Sequence, residues 1–487
     1  MKKDAGILMP VLSLPNSYGC GDFGKEAYAF VDRIAEIGFS IWQILPLQPL
    51  GYGASPYQPY SSKAMDELYI SLDFLKEWGL IKDVEPFNPE ASTISYEEVR
   101  KYRNKYLWEA FFAYQGSDAF WSFANEKWVN DYAIFLTLKK KNHLKSWQEW
   151  PEEEKFYPDN RNLDLKPYEM EILFEKFVQY VLKVQWDNLR RYANSRNIRI
   201  MGDVPFYVGL DSEDVWWHKD MFLLDKKGKP TCIAGVPPDS FSKTGQRWGN
   251  PIYDWEAIEK DNFRFWIDRL SFASSMYDIV RIDHFRAFST YWVIKAECKT
   301  AIDGKWVEAP GYKFFEELYR QYPNINIVVE DLGDNMKDVY KLKDHFGLKG
   351  MIITQQFMDG HYYGDTLENQ ICYTGTHDNA PIAEWYASLK PKHKKEVLAG
   401  LKKAKAINKN IVDAMNSFAM SRKAQLVVLP MCDILRLGAE GRINTPGLLS
   451  EKNWAWKLSD FKAFDKEKKR LHKLLVKNQR LNEKTEA

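Results

Sequence analysis

The chain has 487 residues, 45% of them hydrophobic, enough for one large barrel with insertions or for roughly two to three smaller domains. Its formal net charge of +1 offers no electrostatic footprint for nucleic acid or an anionic membrane. Five scattered cysteines, Cys20, Cys232, Cys298, Cys372 and Cys432, lack any C-x-x-C spacing, which argues for a reducing compartment and against a zinc site.

At the N-terminus, Lys2 and Lys3 precede apolar Ile7-Leu8-Met9, and Pro10 and Pro15 interrupt the apolar pattern beyond it. No small-residue cleavage site succeeds it, so this reads as a first strand, Ile7 to Leu14, and not as a signal peptide. No run of about 18 apolar residues exists to span a membrane, and a cytoplasmic location is expected. After the Gly-rich turn at 18–24, Lys25 to Gly38 has the apolar spacing of an amphipathic helix. The second strand is Ile41 to Leu45, followed by a long turn-rich loop, 46–62, of a length that is uncommon unless functional.

From about residue 68 to 165 the texture changes to mixed charged and aromatic residues at helical spacing, as in 96–115 and 120–141, which predicts an inserted helical subdomain. A long helix over 171–196 leads to the third strand, 198–201, ending at Gly202-Asp203-Val204-Pro205. A second long stretch, 205–255, reads as an irregular loop insertion over the mouth of the site. A helix over 255–275 precedes the fourth strand, which stops abruptly at Asp283-His284-Phe285-Arg286. The fifth strand, 325–329, ends at Glu330-Asp331, the sixth is 350–353, the seventh, 371–374, ends at Gly375-Thr376-His377-Asp378-Asn379, and the eighth is 425–429. Eight short strands separated mostly by helices predict a (β/α)8 barrel of the α/β class, a single catalytic unit with helical insertions. The basic run 466–484 reads as a helix with a solvated outer face.

Asp203, Asp283, Glu330 and Asp378 each fall at the end of a predicted strand, the third, fourth, fifth and seventh. In a barrel these ends share one mouth, where active sites are built. Convergent carboxylates suit glycosidic bond cleavage, which needs a nucleophile, an acid/base and stabilisation of an oxocarbenium-like transition state. Repulsion between neighbours raises the pKa of one of them and keeps it protonated. His284 and His377 stand beside candidates and suit sugar hydroxyls. A lone Asp after a strand is more often a cap or turn former, and an oxygen-rich site also suits a hard divalent cation, so four positions in strand order carry the weight that one does not. The 18 Trp, 27 Tyr and 28 Phe add surfaces that stack on sugar rings.

The stretches Arg281-Ile282-Asp283-His284-Phe285-Arg286, Glu330-Asp331-Leu332-Gly333 and Gly375-Thr376-His377-Asp378-Asn379 resemble the catalytic motifs of the amylomaltases, the 4-α-glucanotransferases of glycoside hydrolase family 77 in the α-amylase clan. The resemblance extends to 51–58 (GYGASPYQ), 202–205 (GDVP), 235–239 (GVPPD), 245–251 (GQRWGNP) and 444–447 (NTPG). It implies Asp283 as the nucleophile, Glu330 as the acid/base, and Asp378 as the residue that distorts the sugar, with Arg281 holding Asp283 ionised. It further implies a substrate-binding set of Arg281, His284, His377, Asp203, Tyr57, Ser55, Trp248, Gln246, Asn250 and Asn444, and the sequence offers Phe241 beside Trp248 and Tyr57 as an aromatic for the acceptor side. Retention of configuration would place Asp283 and Glu330 about 5–5.5 Å apart. No cofactor or metal is implied, nor a C-terminal β-domain, and the partners would be α-1,4-glucans and maltooligosaccharides.

Five positions depart from the family pattern: Ala287 stands where Gly is usual, Ala380-Pro381 replace Asp-Thr, Ser240 replaces an aromatic, and Cys432 replaces Gln. None is one of the three carboxylates. Transfer to a sugar hydroxyl is decided by the resemblance alone. A hydrolase of the same clan is the nearest alternative, and a catalytically silent glucan-binding protein is one of a different class, against which the three intact carboxylates argue.

Overall fold

The computed structural model describes residues 3–238, 242–333, 336–357 and 366–482. Twelve strands occur among them: β1 (Asp4–Leu8), β2 (Ile41–Gln43), β3 (Arg199–Val204), β4 (Cys232–Val236), β5 (Gln246–Pro251), β6 (Ile279–Ile282), β7 (Thr290–Lys295), β8 (Gly304–Glu308), β9 (Ile327–Val329), β10 (Gly350–Ile353), β11 (Gln370–Tyr373) and β12 (Leu426–Pro430). Eight of them form one parallel sheet in the order β10-β11-β12-β1-β2-β3-β6-β9. The ring closes between β9 and the residue before β10, through a parallel bridge from Val328 to Lys349 and a 2.8 Å bond from Val329 N to Lys349 O. Spatial order around the ring follows chain order, with helices between strands, which is the (β/α)8 barrel. Its strands are buried and mostly apolar on both faces, as parallel strands under helices must be. Gly202 in β3 is required by space: a Cβ there would sit 2.2 Å from the Tyr277 ring that packs against it.

Several boundaries differ from the sequence reading. The first strand lies earlier, because Pro10 has no N–H for the ladder and Val11–Ser13 turn into a 3-10 helix. The third strand runs on to Val204, which puts Asp203 inside it. The expected helix over 255–275 is two helices, Trp255–Lys260 and Arg264–Met276, parted by Asn262 and Phe263 in the left-handed region. Between residues 67 and 169 the described elements are helical, the longest being Tyr96–Ala113 and Lys127–Lys141, and they pack on the long helix Glu169–Ser195.

The stretch expected as an irregular loop contains two strands of a separate antiparallel sheet, β5-β4-β7-β8. Its signal is weak because β5 is mostly polar, the β4–β5 register is broken by a bulge near Gly235, and β7 lies some forty residues on from β5. The C-terminal helix, Lys462–Lys477, is solvated on one face only, because Phe464, Leu471 and Leu475 are buried. Phe464 lies against Phe30 of the helix Lys25–Ile37, and Arg33 pairs with Asp465 at 2.9 Å. Arg480 corrects the reading of this run as an outer face, since it is fully buried. No helix among the described residues is long and apolar enough to cross a membrane.

Candidate active site

At the C-terminal ends of the barrel strands lies a cleft of about 800 Å³. Ten residues expected at the site line it: Asp283, Asp378, His284, His377, Tyr57, Ser55, Trp248, Gln246, Asn250 and Asn444. Asp203 and Arg281 are placed beneath it and are almost fully buried. One Arg281 Nη1 sits 2.7 Å from each oxygen of Asp203 and 3.0 Å from Asp283 Oδ1. The second partner of Asp203 is the Tyr57 hydroxyl, which donates at 2.7 Å. The structure thus shows Asp203 bound to protein groups, where a direct sugar contact was expected.

His284 follows Asp283 with φ of 52°, a left-handed conformation that is costly for a non-glycine residue and clusters at functional sites. The reversal aims the His284 N–H at Glu330 Oε2, 2.8 Å away, and Leu332 N donates to the other oxygen at 3.1 Å. Glu330, just past the end of β9 beside β6, is thereby held close enough for the charge of Asp283 to act on it. Its neighbour Asp331 serves the fold, pairing with Lys343 at 3.0 Å and accepting from Met351 N at 2.7 Å.

On the opposite wall, Asn444 Nδ2 donates to Asp378 Oδ1 at 2.6 Å, and His377 Nε2 lies 3.4 Å from Asp378 Oδ2. The Tyr57 ring stacks on His377 with centroids 5.0 Å apart, and Trp454 leans on both. Across the cleft, Trp248 presents its ring at right angles to His284, with centroids 4.8 Å apart. Gln58 Nε2 fixes that strand by donating to Trp248 O at 3.2 Å and Asn250 Oδ1 at 2.9 Å, and Asn250 in turn donates to Val208 O. Gln246 accepts from Trp248 Nε1 at 3.2 Å.

The environments drive the carboxyl groups apart. Burial raises Asp283 to about 6 against the pull of Arg281, so burial outweighs the guanidinium expected to hold it low. Burial, then the charge of Asp283, raises Glu330 to about 7. Burial would raise Asp378 too, but His377 and Asn444 overcome it and hold it at about 2. Asp378 likewise raises His377 against the effect of burial. His284, buried with Arg286 nearby, falls to about 3 and stays neutral. Near neutral pH Asp283 in the cleft is therefore ionised, Glu330, close enough to feel its charge but not itself among the residues lining the cleft, is partly protonated, and Asp378 is permanently ionised, the split of protonation states that acid/base chemistry uses.

The sequence profile of the 4-alpha-glucanotransferase family matches residues 9–463. The chain is 38% identical to a 4-alpha-glucanotransferase of Streptococcus pneumoniae over 94% of each chain, and 38% identical to one of Thermus thermophilus over 93% of this chain and 94% of that one. Its fold superposes on the amylomaltase of Streptococcus agalactiae, solved in complex with acarbose, with a TM-score of 0.93 and 33% identity over 99% of this chain and all of the other. The chain belongs to the 4-alpha-glucanotransferases of glycoside hydrolase family 77.

Within this family frame, Ala287 and Cys432 are buried, and Ala380 is held through its carbonyl, which accepts from Gln355 Nε2 at 2.8 Å. Ser240 and Phe241, with Asp239 of the same motif, lie outside the described residues. Trp454, Tyr207 and Arg442 also line the cleft and were not foreseen. Trp454 could have been suspected from Asn-Trp-Ala-Trp after the 444–447 motif, whereas Tyr207 and Arg442 carry no local signal.

Proposed function

We propose that this 4-alpha-glucanotransferase moves an α-1,4-glucan segment to the 4-hydroxyl of an acceptor glucan or glucose by double displacement, with Asp283 as nucleophile and Glu330 as acid/base. The observation that carries this reading is the placement of Asp283 and Glu330 just past the ends of the paired strands β6 and β9, with their titrations raised to about 6 and about 7. In the first step an oxygen of Asp283 attacks the anomeric carbon while Glu330 gives its proton to the glycosidic oxygen. The C–O bond breaks, the reducing-end fragment leaves as an alcohol, and the donor remains as a glycosyl ester. In the second step Glu330, now a carboxylate, takes the proton of the acceptor 4-hydroxyl, whose oxygen displaces Asp283. Two inversions give net retention.

Asp378, ionised and gripped by Asn444, is suited to bind ring hydroxyls and favour a distorted sugar. His377, Tyr57 and Trp454 form the platform under that sugar, with Ser55 at its rim. Arg281 and Asp203 act from below on Asp283 and Tyr57. Trp248, His284, Gln246 and Asn250 form the facing wall, whose aromatic surface favours a sugar acceptor over water.

Incubation with maltotriose distinguishes the outcomes. Transfer gives glucose and a ladder of longer maltooligosaccharides with little net gain in reducing ends. Maltose and glucose with rising reducing ends would establish hydrolysis instead, and an unchanged substrate would indicate a silent binder.

A further inference from the structure

We infer that Asp433 is a positioning residue for the His377–Asp378 pair, acting as a buckle across the loop that carries it; the inference rests on the reading of Asp378 as a group that works on the substrate. Asp433 lies just after β12, in the short helix Met431–Ile434, and is 1% exposed. One carboxylate oxygen accepts from Thr374 Oγ1 at 2.7 Å and the other from Ile382 N at 2.8 Å. Those two donors are the residues on either side of the segment 375–381. A single planar carboxylate therefore draws together the point where the chain leaves β11 and the point where the next helix, Ile382–Ser388, begins.

The rest of the segment is braced consistently with that clamp. Asn379 Oδ1 accepts from Thr376 N at 2.8 Å and Thr376 Oγ1 at 3.0 Å, and Gln355 holds Ala380 O. Asn416 Nδ2 donates to Asp433 O at 3.1 Å, which fixes the buckle itself. With both feet of the loop pinned, His377 and Asp378 project into the cleft, where Asn444 meets Asp378. Both hydrogen-bond donors to the Asp433 carboxylate are neutral, and burial raises it to about 6. A buried carboxylate held by neutral donors costs the fold stability relative to an apolar side chain of similar size, so its return is sought in what it positions. Misplacement of a reacting group by about 1 Å costs on the order of 100-fold in rate.

The test compares Asp433→Ala, Asp433→Asn, Thr374→Val and Asp378→Asn in maltotriose disproportionation, each well below its melting transition. Asp433→Ala should lower kcat and kcat/KM together by about 10- to 100-fold, the mark of an interaction lost in the transition state. Asn keeps an acceptor for Ile382 N and offers an N–H to Thr374 Oγ1, so Asp433→Asn should restore the rate to within about threefold of wild type. Thr374→Val should slow turnover alone and add nothing in the Asp433→Ala background. Folded Asp433→Ala enzyme with wild-type kcat, or Asp433→Asn as slow as Asp433→Ala, would overturn the inference. If Asp433→Ala does not fold, Thr374→Val decides, and wild-type kcat there overturns it. Wild-type turnover in Asp378→Asn would instead overturn the reading of Asp378 itself.

Discussion

Asp283 and Glu330 differ little in chemistry, and the separate roles proposed for them rest on what surrounds them. Asp283 has Arg281 within 3.0 Å, and Glu330 has the charge of Asp283 beside it. The proposed double displacement requires Asp283 ionised and Glu330 protonated. Rate should therefore rise with pH as Asp283 loses its proton through about 6, and fall as Glu330 loses its proton through about 7. A bell-shaped kcat/KM with a narrow top between those values is the expected profile of initial maltotriose rates. Glu330→Gln should lower maltotriose turnover by about 10²–10⁴-fold. With α-glucosyl fluoride, whose leaving group needs no acid, the first step in that variant should keep only the rising limb. A falling limb that survives would assign the second titration to another group. Replacing Asp283 by Asn removes a neighbouring negative charge, so Glu330 should then titrate below its present value, which isotope-edited NMR of the Glu carboxyls reads directly.

At the scale of elements, the sequence is informative where local pattern and position coincide. Apolar runs ending in charge locate β6 and β9, and with them Asp283 and Glu330, because a buried parallel strand tolerates such groups only at its end. Pattern alone puts Asp203 just after its strand, because a buried Asp inside a strand contradicts that rule until Arg281 and Tyr57 are seen to satisfy it. The antiparallel sheet is not legible: β4 and β5 pair across a bulge, and the rest of the sheet, β7 on β4 and β8 on β7, comes from beyond β6. The wall carrying Trp248 is thus a strand pinned by Gln58 and the sheet behind it. A pinned aromatic wall argues for acceptor binding more strongly than a loose loop does. Trp248→Ala should raise the acceptor KM by roughly tenfold, in line with one lost aromatic contact, and increase the share of hydrolysis. The ratio of new reducing ends to glucose released from maltotriose measures that share, and an unchanged ratio would remove Trp248 from the acceptor side.

For the whole molecule, the question is how a barrel whose first and last strands are far apart in sequence stays closed. β1 and β12 pair over five residues, from Asp4 with Leu426 to Leu8 with Pro430. Below that seam the chain returns from its C-terminal helix and inserts Arg480, which is fully buried. Its guanidinium donates to Met420 O at 2.9 Å, Asp4 O at 3.0 Å, Arg422 O at 2.7 Å and Ala424 O at 2.8 Å. It therefore ties the start of β1, the approach to β12 and the end of the helix Ile411–Met420 into one knot. Burial lowers its pKa only to about 10, so it remains a cation at neutral pH. The knot sits at the N-terminal face of the barrel, opposite the cleft, where side chains serve stability and not chemistry. Arg480→Met fills much of the same space but leaves several buried carbonyls without a donor, each costing about 1–3 kcal/mol. Relaxation and water entry recover part of this, so a loss of about 3–5 kcal/mol is expected. Calorimetry should show a lower Tm, while the folded fraction at low temperature should disproportionate maltotriose with wild-type kcat and KM. A variant that keeps its Tm would show that the seam is closed by strand pairing alone, and one that keeps its Tm but loses kcat would mean that the two faces of the barrel are coupled.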